Sequence, residues 1–174
     1  MERKRAEKLQ RALFRITDLA ITSESLERFY ADVHVVVGEL INARNFYIAL
    51  VSDDGEALNF PYSIDDRDPM RKARRMTNGL TEYVVATGRP LLADREVIGQ
   101  LAEAGKVLQH GPPAHSWLGV PLFRGEDVVG TVVVQSYTDD VKFTAHDQNL
   151  LSFVAHHIGN GLDRQRTQER LRRG

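Results

Sequence analysis

The 174-residue chain contains no cysteine. That excludes a disulfide framework, thiolate metal ligation, a cysteine nucleophile and any thioether-linked chromophore. It also fits a reducing compartment. No apolar run approaches the ~20 residues that a membrane-spanning helix needs. The basic start, MERKRAEKLQRAL, lacks the apolar core of a signal peptide. Together these features lead us to expect a cytoplasmic protein. Net charge is −1, so no whole-molecule field draws the chain to nucleic acid or to a membrane surface. What remains is ordinary globular composition, 42% hydrophobic and 27% charged, in a length that suits one domain with a real core.

Residues 2–20 lack Gly and Pro, and Leu9, Leu13, Ile16 and Ala20 recur at helical spacing. Ser23 is expected to cap a second helix running to about Asn42, apolar over a wide face. NFYIALV, residues 45–51, reads as a strand buried on both faces. Asp53-Asp54-Gly55 predicts a type I′ hairpin turn, and ALNFPYS the returning strand, with Pro61 near a strand end or on an edge. Asp68-Pro69 predicts a short helix over 69–77. Gly79 separates it from another over 80–87, which Gly88 ends in the left-handed conformation. A short edge strand over 90–93, a helix over 94–108 and a loop over 109–115 follow. Strands are expected at 117–123 and 128–137, then a helix capped by Thr144 and Asp147. Its stripe is Leu150, Leu151, Val154, Ile158 and Leu162, after which apolar residues cease until Leu171. The pattern predicts an α+β fold with a central antiparallel sheet of five to six strands, helices on both faces, and long terminal helices packed together.

Three stretches, in this order, resemble a GAF domain over about residues 24–162: NFYIALVSDDGEALNFPYS, GLTEYVVATGRPLLADRE, and SWLGVPLFRGEDVVGTVVVQSYTDDVKFTAHDQNLLSFVAHHIGNGL. The resemblance implies a sensor or dimerisation module with a small-molecule cavity between the sheet and the irregular helices. It implies no enzymatic activity of the domain's own. The implied organisation is an N-terminal dimerisation and signalling helix over 1–22, a sensor domain over 23–162, and the start of a linker over 163–174. That linker would lead to an output domain absent from this chain, such as a GGDEF-type nucleotide cyclase or a histidine kinase. A homodimer through the terminal helices is implied as well. Bilin attachment and the family's methionine sulfoxide reductase branch both need cysteine, which is missing. Cyclic-nucleotide members carry Asn-Lys before Phe-x-x-x-Asp-Glu. Here Phe143 and Asp147 keep the spacing, but Gln148 replaces Glu and no Asn-Lys precedes, so the pair reads as a hydrophobic lead-in and a helix cap.

Candidate ligand residues are Tyr47, Tyr62, Arg71, Arg75, His115, Ser116, Trp117 and Gln135. Arg67, Arg71, Lys72, Arg74 and Arg75 crowd one segment, which suits either a small anionic ligand or, more ordinarily, a solvated face. Buried hydroxyls and amides such as Tyr47, Tyr62, Ser116 and Gln135 need partners, from ligand, water or backbone. Trp117 walls a pocket or fills the core. His110 and His115 fall in the loop before Trp117, most simply at the surface, and His34 sits beside the core. His156 and His157 point ~100° apart, poor geometry for one metal. No HExxH, nucleophile-elbow or phosphate-binding glycine loop is present. No nucleic-acid-binding module is visible. The alternatives to a sensor are a purely structural dimeriser and, less ordinarily, a standalone small-molecule enzyme.

Overall fold

The computed structural model describes residues 2–68, 71–108 and 113–173. Six strands form one antiparallel sheet in the order β3-β2-β1-β6-β5-β4: β1 (Asn45–Val51), β2 (Ala57–Ile64), β3 (Arg74–Arg75), β4 (Leu91–Asp94), β5 (Ser116–Arg124) and β6 (Asp127–Ser136). Alternation along the central strands builds two cores. Phe46, Ile48, Leu118, Val120, Val132 and Val134 point to one face, where α1 (Glu2–Thr22), α2 (Leu26–Leu40) and α5 (Ala145–Arg173) cover them. Tyr47, Ala49, Trp117 and Val133 point to the other, under α3 (Leu80–Thr87) and α4 (Arg95–Glu103). That double cover explains why β1, β5 and β6 read as continuous apolar runs.

The two terminal helices pack within the chain. Ala12, Ile16 and Ala20 share one core with Leu151, Val154, Ile158 and Leu162. Two glycines set how closely α5 approaches its neighbours. A Cβ on Gly159 would lie 2.5 Å from the Phe123 carbonyl oxygen, and one on Gly161 would lie 2.5 Å from the Phe29 ring. The capping pair at the start of α5 is reciprocal: Asp147 N–H donates to Thr144 Oγ1 at 3.2 Å, and Thr144 N–H to Asp147 Oδ2 at 2.9 Å.

Five local expectations change. The cap of α2 is Ser25, whose Oγ accepts from Arg28 N–H at 3.2 Å, while Ser23 is buried. The 52–56 turn is not type I′, because only Gly55 has positive φ there (75°). Asp54 instead organises it by accepting from Ser52 Oγ and Glu56 N–H. Pro61 lies inside β2, at a bulge where Phe60 and Pro61 oppose the single residue Ala49, so its missing N–H costs no ladder bond. The helix expected over 69–77 is absent from its described part. Arg74 and Arg75 pair with Leu58 and Ala57 as an edge strand, because sheet pairing and a buried partner for Arg74 outweigh local helix propensity. Finally, α4 ends at Glu103 rather than 108, closed by Lys106 N–H on the Leu101 carbonyl at 2.9 Å. The helix over 80–87 stands as expected, ended by Gly88 at φ 65°.

Candidate functional site

A cleft of about 190 Å³ opens between the α3/α4 face of the sheet and the segments 71–74 and 113–114. Strand alternation supplies its floor. Tyr47 of β1 is buried, and its hydroxyl shares a 2.7 Å hydrogen bond with Thr81 Oγ1 in the first turn of α3. Burial pushes the Tyr47 phenol above its usual range, and the nearby Arg71 guanidinium offsets part of that. The Trp117 indole folds back over Gly119, where a Cβ would lie 2.3 Å from the ring. Thr131 of β6 ties α3 down by donating to the Thr81 carbonyl at 3.2 Å.

Asp65, just after β2, anchors the polar side of the cleft. Its side chain has no solvent exposure. It accepts from Tyr137 Oη at 2.7 and 2.9 Å, Gln135 Nε2 at 2.8 Å, Arg71 Nη2 at 3.2 Å, and the Arg67 and Asp68 N–H groups at 2.9 and 3.0 Å. A buried carboxylate is tolerated because every lone pair has a donor. Burial, together with Asp65 itself, holds the Tyr137 phenol far above the usual range. The Arg71 guanidinium lies 4.1 Å from the centre of the Tyr47 ring, a cation–π contact, and its Nε donates to Ser63 Oγ at 3.4 Å.

Arg74 forms a two-pronged pair with Glu82, one prong at 2.9 Å. Thr77 adds its N–H at 3.0 Å and its hydroxyl at 2.9 Å. Burial would raise the Glu82 carboxyl, but Arg74 and Thr77 outweigh it and hold the group below the usual carboxylate range. A depressed folded-state pKa stabilises the fold above the unfolded value, and that contribution disappears as pH falls through the folded one. The Glu82→Gln variant should therefore lose less stability than the parent between neutral pH and about pH 3, read as the shift in urea midpoint.

Four of the eight sequence candidates meet here: Tyr47, Arg71, Trp117 and Gln135 line the cleft. The other four lie elsewhere. Tyr62 points to the opposite face, where its hydroxyl meets His34 Nδ1 at 2.7 Å; His34 Nε2 in turn donates to the Ala43 carbonyl, and its ring stacks on Phe46. Burial raises the Tyr62 phenol. Arg75 is exposed on the edge strand, alternate to Arg74. His115 and Ser116 border a separate, largely apolar depression beside Lys142 and Phe143. His110 lies outside the described residues. Trp117 is both core and wall, at 2% exposure.

Sequence reasoning missed Asp65, Thr81, Glu82 and Tyr137 as members of the network and placed Arg74 with the solvated charges. Tyr137 carried a signal, since it follows Gln135 by two residues and shares its side of the strand. Asp65 and Glu82 carried none, because acids beside basic residues read first as surface pairs. Among the described residues, no group of three or more His, Asp or Glu is placed to hold a metal ion.

A family model described as GAF domain matches residues 23–163. The fold is also that of solved structures of low identity. The Aquifex aeolicus nlh2 GAF domain in an inactive state aligns at TM-score 0.66 and 16% identity, covering 91% of this chain and 98% of that one. The GAF domain of an Acinetobacter phosphoenolpyruvate-protein phosphotransferase aligns at TM-score 0.68 and 17% identity, covering 91% and 94%. Free methionine-R-sulfoxide reductase from Neisseria meningitidis, in complex with its substrate, aligns at TM-score 0.72 and 15% identity, covering 92% and 91%. No curated protein sequence matches the chain.

Proposed function

The chain belongs to the GAF domain family, and we propose that it is a regulatory small-molecule-sensing and dimerisation module whose sensor site is the Tyr47–Trp117 cleft. The carrying observation is the construction of the cleft. An arginine stacked on tyrosine, an indole folded over glycine, and an amide and a phenol held from behind by a fully buried carboxylate border open space, where apolar side chains would fill a merely structural core. The terminal helices lie on the opposite face of the same sheet, so a change in cleft occupancy reaches them through the strands. An output domain, a cyclase or a kinase, would follow α5. Differential affinity of the effector for two helix arrangements is what such coupling requires.

The reductase fold among the neighbours supports an enzymatic second reading, which the missing cysteine weighs against. No helix among the described residues is long and apolar enough to cross a membrane.

Dimerisation would use the apolar residues that the fold leaves outward. Phe14 is 74% exposed and Ile21 50% on α1, one above the other at a spacing of seven, and Phe153 is 57% exposed on α5. Ile158 is at 0% exposure and belongs to the core, so Ile158→Asp would unfold the domain rather than split a dimer. Native mass spectrometry of the freshly purified protein tests both halves of the proposal. The expected species is a dimer carrying a non-covalent small molecule, with Phe14→Glu and Phe153→Glu giving folded monomers. A dimer that never carries a ligand returns the chain to the structural-dimeriser reading, and a monomer at high concentration removes the interface.

A further inference from the structure

The cations at the cleft are not equivalent. Arg74 is closed, with both Nη atoms on Glu82 and one also on Thr77. Lys72 is exposed at the mouth and has no ion pair among the described residues. Arg71 is intermediate: its Nε and Nη2 donate to Ser63 and Asp65, whereas Nη1 donates to nothing among the described residues. Nη1 has only an ionic neighbour, Asp68 Oδ2, at 3.5 Å. This is an ionic contact without a hydrogen bond, longer than the 3.2 Å contact that Nη2 makes with Asp65.

The two acids on Arg71 differ in the same way. Asp65 has 0% side-chain exposure and a full set of donors, so it cannot leave. The Asp68 side chain is 31% exposed and contributes no hydrogen bond of its own to the guanidinium. Of the charged side chains lining the cleft, Arg71, Lys72 and Arg74 face Asp68, and the buried Asp65 and Glu82 behind them bring the balance to three and three; Arg67, exposed and stacked on the Tyr137 ring, stands outside that lining. Swinging Asp68 into solvent would uncover one positive charge and leave the Nη1 N–H groups free to donate to an incoming carboxylate.

On the reading of the cleft as the sensor site, we propose that Asp68 is a built-in stand-in for the carboxylate of a singly charged small-molecule effector, occupying Arg71 until that effector displaces it. The site is thereby selective for monoanions. A dianion would bring one charge more than the departure of Asp68 uncovers, and would leave the excess beside Asp65. A neutral molecule has no means to displace Asp68. The Gln135 amide, with its Nε2 directed at Asp65 and Tyr137, leaves its carbonyl oxygen to accept from the rest of the ligand.

The chain has one tryptophan, Trp117, and it lines the cleft, so intrinsic fluorescence reports occupancy without a label. Titrations with propionate and with sulfate, at constant low ionic strength, test the proposal on the parent protein and on Asp68→Asn. The expected result is propionate binding about three- to tenfold tighter in Asp68→Asn, from loss of a competing, partly exposed ion pair. The parent should prefer propionate to sulfate, and the variant should narrow that preference. Asp66→Asn is the control for general surface charge, because Asp66 pairs with Arg44 away from the cleft, and it should match the parent. Equal propionate affinity in parent and Asp68→Asn overturns the proposal. So does equal tightening in Asp66→Asn, a sulfate preference in the parent, or a Trp117 signal that propionate leaves unmoved in both proteins. A native mass spectrum with a bound small molecule alongside any of those outcomes would leave the sensor standing and remove only the stand-in.

Discussion

Gly130→Ala is expected to lower the unfolding free energy by about 3 kcal/mol, at the upper end of what overpacking a core costs. Gly130 sits in the middle of β6 opposite Leu50 of β1. A Cβ there would lie 2.0 Å from the Ala49 carbonyl oxygen and 3.2 Å from Leu50 Cα, both backbone atoms of the neighbouring strand. No rotamer change relieves that contact. β1 cannot step aside either, because β2 pairs with it on its other side. The strands must separate where Ile48, Val132 and Val134 pack, and the core under α1, α2 and α5 loosens. Gly38→Ala is the internal contrast. Nothing lies within 4 Å of a Cβ at that position on the exposed side of α2, so alanine there should add about 0.5–1 kcal/mol. Urea midpoints of the two variants should therefore move in opposite directions, and a Gly130→Ala protein as stable as its parent would contradict the sheet geometry.

The second large effect is expected at Asp65. Asp65→Ala removes the acceptor for Tyr137, Gln135, Arg71 and two backbone N–H groups at once, and leaves the guanidinium of a largely buried arginine short of its partner. Breaking one side of a buried pair costs about 3–5 kcal/mol, far more than an exposed pair contributes. Asp65→Asn should recover only part of the loss, since an amide offers one oxygen where the carboxylate offers two and brings two N–H groups of its own. The same variants carry a spectroscopic mark. The Tyr137 phenol is raised by burial first and by Asp65 second, so removing the carboxylate should bring its ionisation down toward the ordinary range in an ultraviolet titration. If the Tyr137 titration did not move in Asp65→Ala, the hydroxyl would not be bound to that carboxylate.

The sheet and the helix layers were legible because their signals are local and periodic. β1, β5 and β6 are apolar runs bounded by turns, the stripes on α1 and α5 recur every three to four residues, and Thr144 and Asp147 mark a helix start within four positions. The Arg74–Arg75 segment was not legible, since what makes it a strand is Ala57 and Leu58, far back in the chain. The cleft was half legible for the same reason. Tyr47, Trp117 and Gln135 follow from the strand they sit on, and Arg71 from the basic cluster around it. The partners that give those residues meaning, Asp65 for Arg71 and Glu82 for Arg74, are acids in irregular sequence whose burial is decided by tertiary packing. Tyr62 shows the limit from the other side. As an aromatic hydroxyl on β2 it looked equivalent to Tyr47, and one step of strand alternation sent it to His34 on the opposite layer.

The seating of α5 at Gly159 and Gly161 has a mechanical consequence. At both positions the helix backbone touches its support directly, on the Phe123 carbonyl and on the Phe29 ring. A helix held this way is keyed. Rolling it about its axis would drive a neighbouring side chain into a gap that admits only hydrogen, so rotation is the stiff coordinate and tilt about the contact is the soft one. Gly161 then acts as a fulcrum, and the helix beyond it, to Arg173, is a lever of about 18 Å. A tilt of about 5° at the fulcrum moves the far end by roughly 1.5 Å over that length. The far turns of α5 therefore amplify a small tilt at the sheet into a displacement that the core itself does not undergo.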